Sequence, residues 1–226
     1  MSVENGKKKR EEFLEFIVVI LLGVTAVATA WSSWQGGLHG SQMDQKYTKS
    51  NNYASEGNSE YNAGIQSLTQ DMMLYNEINS LMIDMHFADS KGDVDEVEKL
   101  DWKIEELINA NMSEDMYAAF SWAMTETERL GESVSPFEMD GFMESYFDYA
   151  NELLSESEAI MAEGDKNNTH GDNQGLVSVI YAVVLFLLGI SASFKRLREK
   201  YILLIVSFIG FVGATVFMLT IPIVMP

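Results

Sequence analysis

The run LVSVIYAVVLFLLGISASF, residues 176–194, then KRLREK, 195–200, then YILLIVSFIGFVGATVFMLTI, 201–221, decides the fold. Neither long run contains a charge, and about twenty apolar residues at 1.5 Å per residue cross the hydrocarbon core as a helix. The six residues between them include four basic side chains, Lys195, Arg196, Arg198 and Lys200. Two spans joined by a short basic turn read as a membrane hairpin whose turn is cytoplasmic.

A third apolar run lies near the other end. Phe16 to Trp34 is nineteen residues without a charge, preceded by Lys7, Lys8, Lys9 and Arg10. Trp31 and Trp34 sit at its far end, where indole rings anchor at the membrane interface. Ala28-Thr29-Ala30 resembles a signal-peptide cleavage site, but Glu11, Glu12 and Glu15 between the basic cluster and the apolar run favour a retained anchor. With three spans the two basic clusters agree. The expected layout is a cytoplasmic tail (1–12), span one (13–34), an acidic extracytoplasmic helical domain (35–174), span two (175–194), the basic turn (195–200) and span three (201–223). The C-terminus is then extracytoplasmic, and the location is the cell membrane.

Charge follows this division. Of the 34 acidic residues, 29 lie in 35–174 with only 7 basic ones. That block should repel nucleic acid and anionic lipid and gather cations at its surface. The same charge also serves simply as a solvated, soluble face. Cysteine is absent, which removes disulfides, thiolate metal sites and a cysteine nucleophile.

The acidic block reads as all-α. Its first helix continues the first span to about Ala88, roughly 110 Å if unbroken at 1.5 Å per residue. Gly36-Gly37, Gly40 and Gly57 suggest a kink or break on the way. Asp93 and Ser113 are N-caps for two further helices, and Gly131 ends the second of these. Val94, Val97, Leu100, Ile104, Leu107 and Ile108 form one apolar face. Met116, Tyr117, Phe120, Met124 and Trp122 form the next. Ser135-Pro136 opens a fourth helix, expected to run to about Glu163. Residues 164–175, GDKNNTHGDNQG, are expected to be a polar loop into span two. Both ends of the domain return to one membrane face, so the bundle is antiparallel.

Small residues repeat along the first span at Gly23, Ala26, Ala30, Ser33, Gly37 and Gly40, in steps of three and four. Such a stripe lets helix backbones approach closely in lipid. The same phase continues as a coiled-coil seam through Asp44, Tyr47, Asn51, Ala54, Asn58, Tyr61, Ile65, Leu68 and Met72 to His86. An ordinary amphipathic core face fits the pattern equally well. In the third span Ser207, Gly210, Gly213 and Ala214 form another small face.

Chemical motifs are sparse. Asp165, Asn167 and Thr169 alternate like a calcium loop, but His170 stands where glycine is needed and Leu176 where the last ligand belongs. His39, His86 and His170 have no metal-ligand spacing. No phosphate loop, dinucleotide fingerprint or nucleophile-and-base pattern appears, so an enzyme is not expected and no cofactor or metal is assigned. Glu15 is the sole ionisable residue in a span, at its edge, which argues against a proton-coupled transporter. Asn111-Met112-Ser113 and Asn167-Asn168-Thr169 are glycosylation sequons on the outer side.

The stretch TAVATAWSSWQGG, Thr25 to Gly37, resembles uncharacterised prokaryotic three-span membrane-protein families labelled only as domains of unknown function. The resemblance implies a first span, a helical extramembrane insert and a closing hairpin with a basic turn; it implies no activity or site residue. The expected fold is therefore all-α, three transmembrane helices with an extracytoplasmic antiparallel helical bundle inserted between spans one and two. The leading functional expectation is a homo-oligomeric assembly in the lipid bilayer, with Asp44, Asn51 and Asn58 as pore or seam residues of a cation-permeable path. The alternatives are a sensor or interaction module acting through a partner membrane protein, and a structural envelope protein.

Overall fold

A computed structural model of the chain describes residues 2–194 and 196–225, with side chains from residue 9 onward. Lys195 and the side chains of Lys7 and Lys8 lie outside the described residues. Among the described residues the secondary structure is helical, with no strand. The helices are α1 (Ser2–Ser90), α2 (Val94–Asn111), α3 (Glu114–Leu130), α4 (Phe142–Ser145), α5 (Asp148–Ser191) and α6 (Leu197–Leu219). Three of them, α1, α5 and α6, are long and apolar enough to cross a membrane.

Local chemistry explains most boundaries. Asp93 caps α2 by accepting from the Glu96 N–H, and Ser113 caps α3 by accepting from the Met116 N–H. Such caps satisfy backbone donors that the first turn leaves open. Gly131 ends α3 at φ +73°, a left-handed conformation that glycine adopts without steric cost.

Three expectations change. The expected break near Gly36-Gly37 does not occur, since α1 is one helix. The helix expected from Ser135-Pro136 is only a 3-10 turn, Pro136–Glu138, closed by a reciprocal Ser135–Glu138 capping box. Met139 is extended and Gly141 has φ +77°, so the chain turns before α4 and the long helix starts only at Asp148. The expected loop at 164–175 is helical, because α5 runs unbroken from Asp148 to Ser191.

The chain divides into two compact units, Met1–Ser50 with Glu158–Pro226, and Asn51–Ser157. In the first, Val177 and Tyr181 of α5 pack with Ala214 of α6 and Ile221. Leu21 of α1 packs with Val184 and Leu188 of α5, flanked by Leu204 and Phe211. The Tyr181 hydroxyl lies 2.9 Å from Thr215 Oγ1, which satisfies a buried polar group among apolar helices. The small face expected on α6 is used here: Ser207 and Ala214 are buried, and a Cβ on Gly210 would sit 3.0 Å from Val184. Gly213 points into open space.

In the second unit, Leu74 and Ile78 of α1 meet Ile104 of α2, with Met82, Leu107 and Phe120 around them. Met116 and Ala119 of α3 meet Phe142, beside Tyr75, Phe137 and Tyr146. The buried face of α3 is therefore Met116, Ala119 and Ala123, while Tyr117 and Met124 are exposed.

Within each unit α1 and α5 run antiparallel. The pairings are Ser32 with Gln174 and Lys46 with Glu163 in the first; in the second Gly57 meets Leu154 of α5, and Gly64 meets Tyr146 and Phe147 just before α5 begins.

Candidate functional site

The most distinctive chemistry in the Met1–Ser50/Glu158–Pro226 unit is a buried polar cluster on α1. Ser32, Gln35 and His39 are spaced three and four apart, so they share one helix face, and all three are at most 1% exposed. Each finds a partner elsewhere in the chain. Ser32 Oγ lies 2.8 Å from the Gln174 carbonyl and 2.7 Å from Gln174 Oε1, so its single proton serves two acceptors on α5. Gln35 pairs with a backbone amide as a neighbouring strand would. Its Nε2 donates to the Val224 carbonyl at 3.1 Å and its Oε1 accepts from the Val224 N–H at 2.9 Å.

His39 completes the cluster. Its Nε2 is 3.0 Å from the Pro222 carbonyl, which can only accept, so Nε2 carries the proton. Nδ1 is 3.5 Å from Asn167 Oδ1, and the ring of His170 lies 5.3 Å away, centre to centre. One face of α1 thus clasps α5 and the extended segment after α6. Gly36 and Gly171 permit the approach: a Cβ on Gly36 would sit 3.4 Å from Gln174 Cβ and 3.5 Å from the Gly171 carbonyl.

The same seam continues toward Ser50. Lys46 pairs with Glu163, and the Tyr47 hydroxyl donates to Asp165 at 2.6 Å. The Lys46 ammonium holds the Glu163 carboxyl below its usual range, and the hydrogen bond to Asp165 pushes the Tyr47 phenol up. The Tyr47 ring lies where a Gly164 side chain would be, with a Cβ only 2.6 Å from Cε1. These contacts explain why a polar, glycine-containing segment stays helical. Asp165, Asn167 and Gln174 have partners on α1, and the glycines are the points of closest approach.

The residues singled out from sequence fall elsewhere. Gly23, Ala26, Ala30, Ser33 and Gly37 are exposed, and Gly40 is half-buried. Nothing lies within 4 Å of a Cβ on Gly23, Gly37 or Gly40, although Ser33 Oγ is 3.2 Å from Ser178 Oγ. The α1 face that packs within the chain is instead Leu14, Leu21, Thr25, Ser32, Gln35 and His39. Asp44, Asn51 and Asn58 are exposed, as are Ile65, Met72 and His86 of the same phase. The buried positions lie one residue back, at Ser50, Gly57, Gly64, Asp71 and Ile78, in unbroken steps of seven. Trp31 and Trp34 are partly exposed and meet edge to face at 5.2 Å. Lys9, Arg10, Arg196 and Arg198 are exposed. Lys200 is buried, with Nζ 3.2 Å from both Glu11 and Glu15.

In the Asn51–Ser157 unit, Asp71 of the seven-residue series accepts from the Tyr146 hydroxyl at 2.6 Å. Burial first, and the Asp71 hydrogen bond second, push the Tyr146 phenol well above the ordinary tyrosine range. A group raised on folding contributes stability that is complete below its unfolded pKa, about 10 for tyrosine, and is lost as the pH rises above that. Tyr146→Phe should therefore lower stability at neutral pH and flatten the fall above about pH 10. The difference between wild-type and variant unfolding curves, measured from pH 7 to 11, isolates this residue from the other tyrosines. A constant difference across that range would show that Tyr146 does not carry the effect.

Hydroxyls, carboxamides and one imidazole hold helices and chain together. Among the described residues no three His, Asp or Glu side chains converge on a metal position. No family model, curated protein or solved structure matches the chain.

Proposed function

We propose that the chain is a multi-pass cell-membrane protein that assembles with copies of itself through the α1 face carrying Gly23, Ala26, Ala30 and Gly37. Its N-terminus is cytoplasmic, residues 35–174 form an acidic extracytoplasmic helical bundle, and its C-terminus is extracytoplasmic. The observation that carries the assembly is the separation of two faces on one helix. The Leu14–His39 face is occupied within the chain, whereas the small-residue face is exposed and Gly23 and Gly37 have no neighbour within 4 Å. In lipid a face of small residues is driven to another helix by close backbone packing and not by water. Asp44, Asn51 and Asn58, exposed further along α1, then repeat around the assembly as polar rings. The net acidity of the surrounding block draws cations toward them.

The test is the mass of the full chain in mild detergent. A multimer is expected for the wild type, and Ala26→Leu with Ala30→Leu should weaken association tenfold or more, about 1.4 kcal/mol, while leaving helix content unchanged. A wild-type monomer at all concentrations would end this reading.

A sensor or interaction module acting through a partner membrane protein is the second reading. It is favoured by the continuity of α1 and α5, each a single helix that includes both an apolar span and part of the Asn51–Ser157 unit. A wild-type chain that stays monomeric alone but co-purifies with a second membrane protein would favour it.

A further inference from the structure

A cleft of about 270 Å³ lies between α1 and α5 where α6 begins. Its walls are Leu14, Val18 and Leu22 of α1, Leu188 of α5 and Ala192 just after α5. Glu15, Ser191 and Lys200 form one polar corner. Gly189 also lines it, and nothing lies within 4 Å of the position a Gly189 Cβ would take. The cleft is therefore bounded by apolar side chains, open at a glycine and charged at a single end.

We propose that this cleft holds one acyl chain of a phospholipid from the leaflet beside the start of α6, and that its charged corner selects a primary-amine headgroup, that of phosphatidylethanolamine. The proposal rests on the membrane reading of α1, α5 and α6 and not on self-assembly. The charges decide the headgroup. Lys200 Nζ has three protons and gives two of them, to Glu11 and Glu15 at 3.2 Å each. The third is left for a phosphate oxygen. The Glu15 side chain is 60% exposed and meets Lys200 through Oε1, so it can also accept from an ammonium N–H. Two carboxylates and one ammonium leave the corner with a net charge of −1, which an anionic headgroup would make more negative and a zwitterionic headgroup leaves unchanged. Phosphatidylglycerol brings a phosphate with no cation. Phosphatidylcholine brings a cation with no N–H to donate. Phosphatidylethanolamine brings both a phosphate and a hydrogen-bonding ammonium. Ser191 has no proton left for a phosphate, because its hydroxyl donates to the Leu188 carbonyl of its own helix.

The experiment uses the full chain in bilayer discs made from equal parts of the three lipids with matched chains. Mild detergent extraction is followed by quantification of the lipid retained per chain. Wild type should retain phosphatidylethanolamine at least fivefold over either competitor. Gly189→Leu, which fills the cleft from an open position, should lose that retention about tenfold. Gly213→Leu, at an open position on α6 away from the cleft, should retain it. Glu15→Gln should keep lipid but lose the preference for the amine headgroup. Equal retention of all three lipids by the wild type overturns the proposal, as does unchanged retention in Gly189→Leu. If Gly189→Leu does not fold, the wild-type selectivity and its loss in Glu15→Gln still decide. Membrane fractionation of the same samples reports separately on the membrane reading.

Discussion

Gly64→Ala is expected to destabilise the chain by about 2 kcal/mol, even though alanine is the better helix former by about 1 kcal/mol. A Cβ at position 64 would sit 2.3 Å from the Tyr146 carbonyl oxygen and 3.2 Å from the Phe147 ring. The first of these is backbone and cannot rotate away, so one chain must move from the other. That movement disturbs the Tyr61–Phe147 ring pair, whose centres are 4.8 Å apart, and the Tyr146–Asp71 hydrogen bond. Gly175→Ala is the control. It lies in α5 with nothing within 4 Å of its Cβ, so it should stabilise by about 0.5–1 kcal/mol through helix propensity alone. Thermal or denaturant unfolding in one detergent compares the two. If Gly64→Ala behaves like Gly175→Ala, the close approach at position 64 is not part of the folded chain.

Gln35→Leu should cost about 1–3 kcal/mol, the desolvation of polar groups left without partners. Leucine preserves the apolar volume and removes both hydrogen bonds to Val224, leaving an N–H and a carbonyl without partners. The consequence should be local as well as global. Hydrogen exchange of the Val224 amide should be slow in the wild type and fast in the variant, with loosening of the His39–Pro222 bond beside it. Gln35→Glu separates hydrogen bonding from packing. It keeps an acceptor for the Val224 N–H but loses the donor to its carbonyl, so an intermediate effect is expected. Unchanged exchange in Gln35→Leu would mean that Gln35 does not hold this segment.

The three long apolar helices and the caps at Asp93, Ser113 and Gly131 were legible because each depends on local chemistry: runs of apolar residues, side chains that satisfy nearby donors, and a backbone that needs positive φ. The packing face of α1 was harder to read. Counting from Gly23 selects small residues, but both the small stripe and the packed face repeat every three to four residues, so periodicity cannot say which one meets a neighbour. A signal was present in Gly57 and Gly64, seven residues apart and in phase with Ser50, Asp71 and Ile78. Glycines recurring at that interval on a helix mark a close approach, and the structure places α5 against Gly57 and the Tyr146-Phe147 segment just before α5 against Gly64. Ser32, Gln35 and His39 lay inside the stretch that drew attention for its small residues, yet polar side chains at an interfacial position read equally well as solvated.

The helicity of residues 164–175 had no local signal. Its glycines and asparagines favour a turn when considered alone. Helix prevails because Gly164 and Gly171 admit α1 at short range and because Asp165, Asn167 and Gln174 find hydrogen-bond partners there.

Sequence alone determined the all-helical class and the three apolar helices, since hydrophobic length and capping act over a few neighbouring residues. Tertiary structure decided which face of α1 is spent inside the chain and which is left free, and that the GDKNNTHGDNQG segment is helix. It also brought Lys200 to Glu11 and Glu15 across 189 and 185 residues. The physical reason is common to all three. Close packing and the partnering of polar groups depend on what lies opposite in space, and no window along one strand of sequence contains that.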